Sequence, residues 1–267
     1  MSKTEIVSII NQKGGVGKTT TAINLAAGLA LKNKKILIID LDPQGNATTG
    51  LGLSNTENSD ETIYGVLNGT HNISKVIKET QFANLDLVSS NVDLSGLEVE
   101  TAGDNKRAFI LKDQIMAYLN DSRGKYEYIF IDCPPSLSLL TVMSLVASNS
   151  LVVPLQTEFF ALEGLTQLMK TIDRIKINLN SELIIKGILL TMYDKRNKLS
   201  GQVEKEARDY FKEKVYSAVI PRNVRLSEAP SHGMPVLAYD KSCPGSKAYF
   251  NFTEEFLNKE KRYESAA

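Results

Sequence analysis

The run Lys13-Gly14-Gly15-Val16-Gly17-Lys18-Thr19-Thr20 follows the apolar stretch Ile6 to Ile10 and precedes Ala22-Ile23-Asn24-Leu25-Ala26-Ala27. Strand, glycine loop and helix in that order build a cradle for phosphate. Glycines let successive backbone N–H groups converge on phosphate oxygens, and the following helix adds its positive end. Lys18 supplies a point charge, and the Thr19 hydroxyl can ligate Mg2+. The segment implies a nucleoside triphosphate site. In the pattern G-x-x-x-x-G-K-[ST], counting back from Gly17-Lys18-Thr19 asks for glycine at position 12, where this chain has Gln12 followed by a second lysine, Lys13. Two lysines at one phosphate site imply that one of them serves something other than the nucleotide in its own loop. The alternative is that Lys13 is a solvated loop charge.

Carboxylates complete the set. In Ile36-Leu37-Ile38-Ile39-Asp40-Leu41-Asp42-Pro43-Gln44-Gly45-Asn46-Ala47, two aspartates two residues apart at the end of an apolar strand project to the same side. In a parallel sheet that end is the ligand crevice. The other reading is a turn or helix-cap carboxylate, the usual job of an aspartate before Pro-x-Gly. Tyr128-Ile129-Phe130-Ile131-Asp132 is a second apolar strand ending in aspartate. Asp132 and Asp40 are assigned to Mg2+ beside Thr19, and Asp42 to orienting an attacking water. Lys13, reached in trans from a second subunit, would neutralise charge on the transferred phosphoryl group, an effect worth up to ~10³–10⁵ in rate.

These residues need a scaffold that brings strand ends together. Seven runs read as strands: Ile6 to Ile10, Lys35 to Asp40, Leu85 to Ser89, Tyr128 to Asp132, Leu151 to Leu155, Leu183 to Thr191 and Val215 to Ile220. Helical patterns lie between them, among them Lys18 to Leu31, Lys106 to Leu119, and Leu162 to Ile177. The last carries Leu162, Leu165, Leu168, Met169, Ile172 and Ile175 on one stripe, which is core packing. The alternation predicts a single α/β domain over residues 1–267, a mostly parallel sheet with helices on both faces. Gly50 to Asp60 reads as a loop, and Ser89 to Asn105 is weakly patterned.

The 267 residues suffice for one sizeable core, and Lys+Arg of 31 against Asp+Glu of 31 leaves no global charge bias. Nucleic-acid binding would therefore need a local patch. Cys133 and Cys243 form no C-x-x-C pair and suit a reduced, cytoplasmic setting, Cys133 as a small buried hydrophobe. The N-terminus lacks the apolar core of a signal peptide, and no apolar run approaches the ~18–20 residues of a spanning helix. The charged C-terminal stretch Glu254 to Tyr263 is unlike a membrane-surface helix with a broad apolar face, so no stable membrane association is expected.

The loop K-G-G-V-G-K-T-T resembles the deviant Walker A sequence of the ParA/MinD ATPases, a P-loop NTPase family. Asp40-Leu41-Asp42-Pro43-Gln44-Gly45-Asn46-Ala47-Thr48, Asp132-Cys133-Pro134-Pro135-Ser136-Leu137 and the block Ile220 to Gly233 extend the resemblance over nearly the whole chain, toward ParA/Soj partition ATPases. The resemblance implies an ATP-dependent sandwich homodimer in which Lys13 contacts the partner's nucleotide and Asp42 is needed for hydrolysis. Nucleotide contacts would run from Lys13 to Thr20 and include Pro221 and Asn223 near the adenine. It also implies non-specific binding of double-stranded DNA by the ATP dimer, hence nucleoid association, and stimulation of hydrolysis by a ParB-type protein. The DNA-binding positions correspond to Arg196 and Arg225, with Arg222 as a further candidate and Lys195 and Lys198 adding to a local basic cluster. The family often has Arg-Thr-Asn where this chain has Arg196-Asn197-Lys198. With the first strand starting near Met1, no helix-turn-helix domain is expected ahead of it. Rival readings are a membrane-bound positioning ATPase, which the C-terminus argues against, and a ligase or iron–sulfur reductase on the same fold, the latter short of cluster cysteines.

Overall fold

The computed structural model describes residues 4–53, 60–121 and 126–266. Eight strands, β1 (Glu5–Ile9), β2 (Ile36–Asp40), β3 (Ile77–Glu79), β4 (Leu85–Val88), β5 (Tyr128–Asp132), β6 (Ser150–Gln156), β7 (Ile184–Tyr193) and β8 (Val215–Pro221), form one sheet in the order β3-β4-β2-β5-β1-β6-β7-β8. All neighbours are parallel except β3, which runs antiparallel to β4 at the edge. The seven expected strands are present. β3 escaped notice because three residues, two of them charged, carry no period.

Strand residues alternate between two cores, as period-two chains covered on both faces must. Ile6, Leu37, Ile39, Ile129 and Ile131 pack on one side, and Val7, Ile9, Ile36, Ile38 and Phe130 on the other. The helices are α1 (Lys18–Ala30), α2 (Asn46–Gly50), α3 (Ile63–Leu67), α4 (Ile73–Val76), α5 (Leu97–Glu100), α6 (Ile110–Asp121), α7 (Leu139–Ala147) and α8 (Ala161–Asn178). They continue with α9 (Lys198–Phe211), α10 (Val224–Glu228), α11 (Val236–Tyr239) and α12 (Pro244–Ala266). Leu111 of α6, Met143 of α7 and Leu165, Leu168, Ile172 and Ile175 of α8 fill the first core. Leu25 of α1 and Phe252 and Phe256 of α12 fill the second.

Departures from the expected pattern are local. The helix expected from Lys106 opens as a 3-10 turn at Arg107–Phe109 before α6. Gly50 ends α2 rather than starting a loop, whereas Ser54, Asn55, Asn58 and Ser59 lie outside the described residues. So do Met1, Ser2 and Lys3, and the side chains of Glu260, Lys261, Arg262 and Tyr263. The weakly patterned stretch after Ser89 holds a 3-10 turn at Val92–Gly96 and the single turn of α5.

The strand order positions the chemistry. The connection from β1 runs to β2 on one side and that from its neighbour β6 runs to β7 on the other, and the crevice at such a reversal opens outside the carboxyl ends of the strands. Register places Ile9 beside Asp132 and Asp132 beside Asp40. The phosphate loop and two of the expected carboxylates thus arise from neighbouring strand ends.

Candidate active site

The loop leaving β1 is stiffened before it meets any ligand. Asn11 donates from Nδ2 to the Pro154 carbonyl at 2.7 Å and accepts the Lys13 N–H at 3.0 Å. Gly15 and Gly17 have φ of 73° and 86°, left-handed values that a side chain would resist. Gly17 is the N-cap of α1, so the helix's free N–H groups open directly into the loop.

The resulting cavity of about 490 Å³ is lined by Gly14, Gly15, Gly17, Lys18, Thr19 and Thr20 on the loop side and by Asp42 and Gln44 opposite. Lys18 is buried, and its Nζ donates to the Lys13 carbonyl at 2.9 Å. Burial lowers the Lys18 pKa, while the charges of Asp132, Cys133 and Asp42 pull it back up. Val16 is buried beneath the loop, contributing backbone rather than side chain.

The carboxylates divide by environment. Asp132 is fully buried, and neither of its oxygens has a hydrogen-bond partner. Burial, then the charge of Asp40, hold its carboxyl well above the usual range; the nearby Thr19 hydroxyl favours the charged form without reaching hydrogen-bond geometry. An orphaned carboxylate beside a hydroxyl is a hard-oxygen site for a divalent cation. Among the described residues no three His, Cys, Asp or Glu side chains make a ready metal cage.

Asp40, assigned to Mg2+ from the sequence, is engaged by protein groups at the end of β2. Its Oδ2 accepts from the Thr48 N–H at 2.8 Å and the Thr48 hydroxyl at 2.7 Å, and its Oδ1 accepts the Asp42 N–H at 3.2 Å. Burial raises its pKa to about 6 against these hydrogen bonds. Its carboxylate is spent on anchoring α2, the turn role that Asp-x-Asp-Pro-x-Gly allowed. Asp42 lines the cavity and accepts the Gln44 N–H at 3.0 Å through Oδ1.

Lys13 points elsewhere. Its ammonium pairs with Glu158, on the turn between β6 and α8, and its side chain stays half exposed. Phe159 and Phe160, next to Glu158, are 73% and 67% exposed and stack edge to face. Glu158 was not singled out from sequence; a carboxylate followed by two aromatics after a buried strand was the available signal.

Pro221 and Asn223 are the residues that the resemblance places near the adenine. They line a separate groove, and Asn223 caps α10 by accepting the Arg225 N–H at 3.1 Å. β8 lies three strands from β1, roughly 14 Å at ordinary strand spacing, so its end does not reach the phosphate cavity. The far wall of that cavity is instead Met192, Pro230, Ser231 and Met234. Pro230 and Ser231 belong to the Ile220–Gly233 block; its later half, not its start, forms the wall.

The second groove, about 800 Å³, collects Lys195, Arg196 and Arg222 with Lys247 of α12. Arg196 is held bidentate by Asp194 at 3.0 and 3.1 Å. Asn197 caps α9 by accepting the Leu199 N–H, a job that the threonine of Arg-Thr-Asn could also do. Lys198 opens α9 and Arg225 pairs with Glu228 at 2.7 Å, both outside the groove lining. His232 stacks on Tyr239, a packing role. Cys133 and Cys243 are buried and unbridged, and burial pushes the Cys133 thiol up to about 12.

Comparison with known proteins converges on one family. The sequence family described as an AAA domain matches residues 4–185. The chain is 50% identical over 262 residues to the chromosome partitioning protein ParA of Caulobacter vibrioides, covering 98% of this chain and 97% of that one. It is 47% identical over 251 residues to the sporulation initiation inhibitor protein Soj of Bacillus subtilis, covering 94% and 97%. Among solved structures, cobyrinic acid a,c-diamide synthase from Mycobacterium smegmatis with bound ADP and magnesium superimposes with TM-score 0.83 at 31% identity, covering 97% and 96%. The septum site-determining protein MinD of Pyrococcus horikoshii with Mg-ADP does so with TM-score 0.78 at 27% identity, covering 95% and 96%.

Proposed function

Because the chain belongs to the ParA/Soj family of chromosome-partitioning ATPases, we propose that it is an ATP-driven switch: ATP closes a homodimer, the dimer holds double-stranded DNA through the basic groove, and hydrolysis releases it. The observation that carries this reading is the cluster of Lys18, Thr19, unpartnered Asp132 and Asp42 around one glycine loop, with a second lysine turned outward. Solved neighbours that bind ADP with magnesium support the nucleotide and cation.

Thr19 and Asp132 would hold Mg2+, which when bound offsets phosphate charge. The loop N–H groups and the α1 N-terminus orient the triphosphate, and Lys18 neutralises charge on the phosphate it touches. Asp42 would accept a hydrogen bond from the attacking water and align its lone pair with the terminal phosphorus. Lys13, released from Glu158, would enter the partner's site, where charge builds during transfer. A ParB-type protein would accelerate this step. The protein would then act in the cytoplasm on the nucleoid; among the described residues no helix is long and apolar enough to cross a membrane.

The test measures binding of a fluorescent DNA duplex with ATP, with ADP and without nucleotide, with Asp42→Ala holding the ATP state. The expected result is binding in the ATP state alone, with affinity falling steeply as salt rises because phosphate contacts release counterions. Equal binding in all three states, or none, overturns the DNA switch.

A further inference from the structure

The phosphate cavity and the basic groove share a wall, and it is one short piece of chain. Thr191, near the end of β7, donates its hydroxyl to the Val16 carbonyl inside the phosphate loop at 2.9 Å. Its methyl is the nearest atom, at 3.9 Å, to where a Cβ on Gly17 would stand. The next residue, Met192, lines the phosphate cavity. The four after it, Tyr193 to Arg196, line the groove. The Tyr193 carbonyl then accepts the Arg222 N–H at 3.1 Å, joining the groove's two sides.

Met192 is also where the backbone departs from strand geometry. It has φ of 51°, a left-handed value in an unbranched but bulky residue, and the pairing of β7 with β8 slips between Leu190 and Tyr193. Residues held in such conformations concentrate where two arrangements compete, because a neighbouring well of lower local energy lies open to them. A change of Met192 toward extended φ would swing Tyr193 to Arg196 as a unit. Arg196 is at present paired with Asp194 through both guanidinium contacts, with its side chain exposed.

We infer that Thr191 and Met192 are positioning residues that couple nucleotide in the phosphate loop to the basic groove, so that DNA affinity follows the nucleotide state. The inference rests on reading the groove as the DNA face. When phosphate draws the loop N–H groups inward, the Val16 carbonyl turns with them and the Thr191 hydroxyl follows. Met192, caught between the moving loop and the fixed core of β7, absorbs the change. The groove residues beyond it are re-aimed, and Arg196 exchanges Asp194 for a DNA phosphate. An element with two arrangements that both sites bias is the physical requirement for coupling, and the joint at Met192 would supply it.

The deciding experiment uses the full chain and compares Thr191→Val, which keeps shape and removes the donor, with Thr191→Ser, which keeps the donor. Affinity for a DNA duplex is measured with ATP and with ADP, alongside affinity for a fluorescent ATP analogue. The expected result is that Thr191→Val lowers the ATP-to-ADP ratio of DNA affinities on the order of tenfold, binds the analogue within about threefold of the parent, and that Thr191→Ser restores the ratio. Met192→Gly, which accepts either φ, should lower the same ratio by raising DNA affinity in the ADP state. If Thr191→Val and Met192→Gly both keep the parent ratio, the coupling assignment is wrong while the DNA reading stands. If the parent protein shows no ATP-dependent DNA binding, the DNA reading itself falls and takes the assignment with it.

Discussion

Lys13 and Lys18 lie in one loop but in opposite environments, and the difference separates their jobs. Lys18 is buried, donates to the loop's own backbone and feels Asp132 and Asp42 across the cavity. Its charge is desolvated in advance, where electrostatic interaction with phosphate is strongest. Lys13 is half exposed and paired with Glu158, an arrangement worth at most about 1 kcal/mol at a surface and therefore easily exchanged for another anion. Lys18→Ala should abolish ATP binding. Lys13→Ala should leave ATP affinity of the isolated chain within about threefold and lower turnover by ~10³ or more, as loss of a charge supplied in trans does. Titration with a fluorescent ATP analogue and a phosphate-release assay check both. Loss of binding in Lys13→Ala would place that lysine on its own loop's nucleotide and remove the argument for a second subunit.

At the scale of elements, α1 carries the site and α12 seats α1. A Cβ on Gly28 of α1 would lie 2.2 Å from the Thr253 hydroxyl of α12, which itself donates to the Tyr249 carbonyl at 2.9 Å. The Tyr249 hydroxyl meets Thr21 of α1 at 3.1 Å. Gly28→Ala should gain up to about 1 kcal/mol in helix propensity but lose roughly 1–3 kcal/mol to overpacking against a hydroxyl that cannot move without breaking its bond. The expected net effect is a loss of roughly 1–2 kcal/mol in urea unfolding, and a gain would show that the two helices part freely. This seat was not legible in the sequence. Central strands were, because β1, β2 and β5 are apolar runs ending at charged or loop residues, and burial on both faces leaves no other use for them. α9 and α12 are mostly polar, and each buries only a narrow stripe such as Val203 and Ala207 or Tyr249, Phe252 and Phe256. The phosphate loop was legible because glycine and lysine at fixed spacing have few other uses. The anchoring of α2 by Asp40 was not legible because an aspartate near a phosphate loop looks the same in sequence whether it serves a cation or a turn. The cavity's far wall was missed because Met192 and Met234 are chemically ordinary, and only the sheet order brings them there.

Over the whole molecule, the carboxyl edge of the sheet holds groups that the fold alone would not choose. Asp132 is buried without a hydrogen-bond partner, with Asp40 close enough to raise its pKa further. Its folded pKa lies above the unfolded value, so at neutral pH an ionised Asp132 weighs against the folded state until a cation arrives. If Asp132 holds Mg2+ as proposed, the same carboxylate would destabilise the empty protein and add to the stability of the loaded one, a division common where function and stability compete. Asp132→Asn should raise the melting temperature of the ligand-free protein while reducing the further rise on adding ATP with Mg2+. For the parent, ATP at a hundredfold excess over Kd should add about 2.7 kcal/mol, and removing Mg2+ with a chelator should take back most of it. The variant should respond to ATP much less and to the chelator hardly at all. Thermal melts of both proteins, with and without ATP, Mg2+ and chelator, make the comparison. A variant that melts lower when empty yet keeps the full Mg2+-dependent rise would show that Asp132 is a structural carboxylate, and would move the cation to Thr19 and water alone.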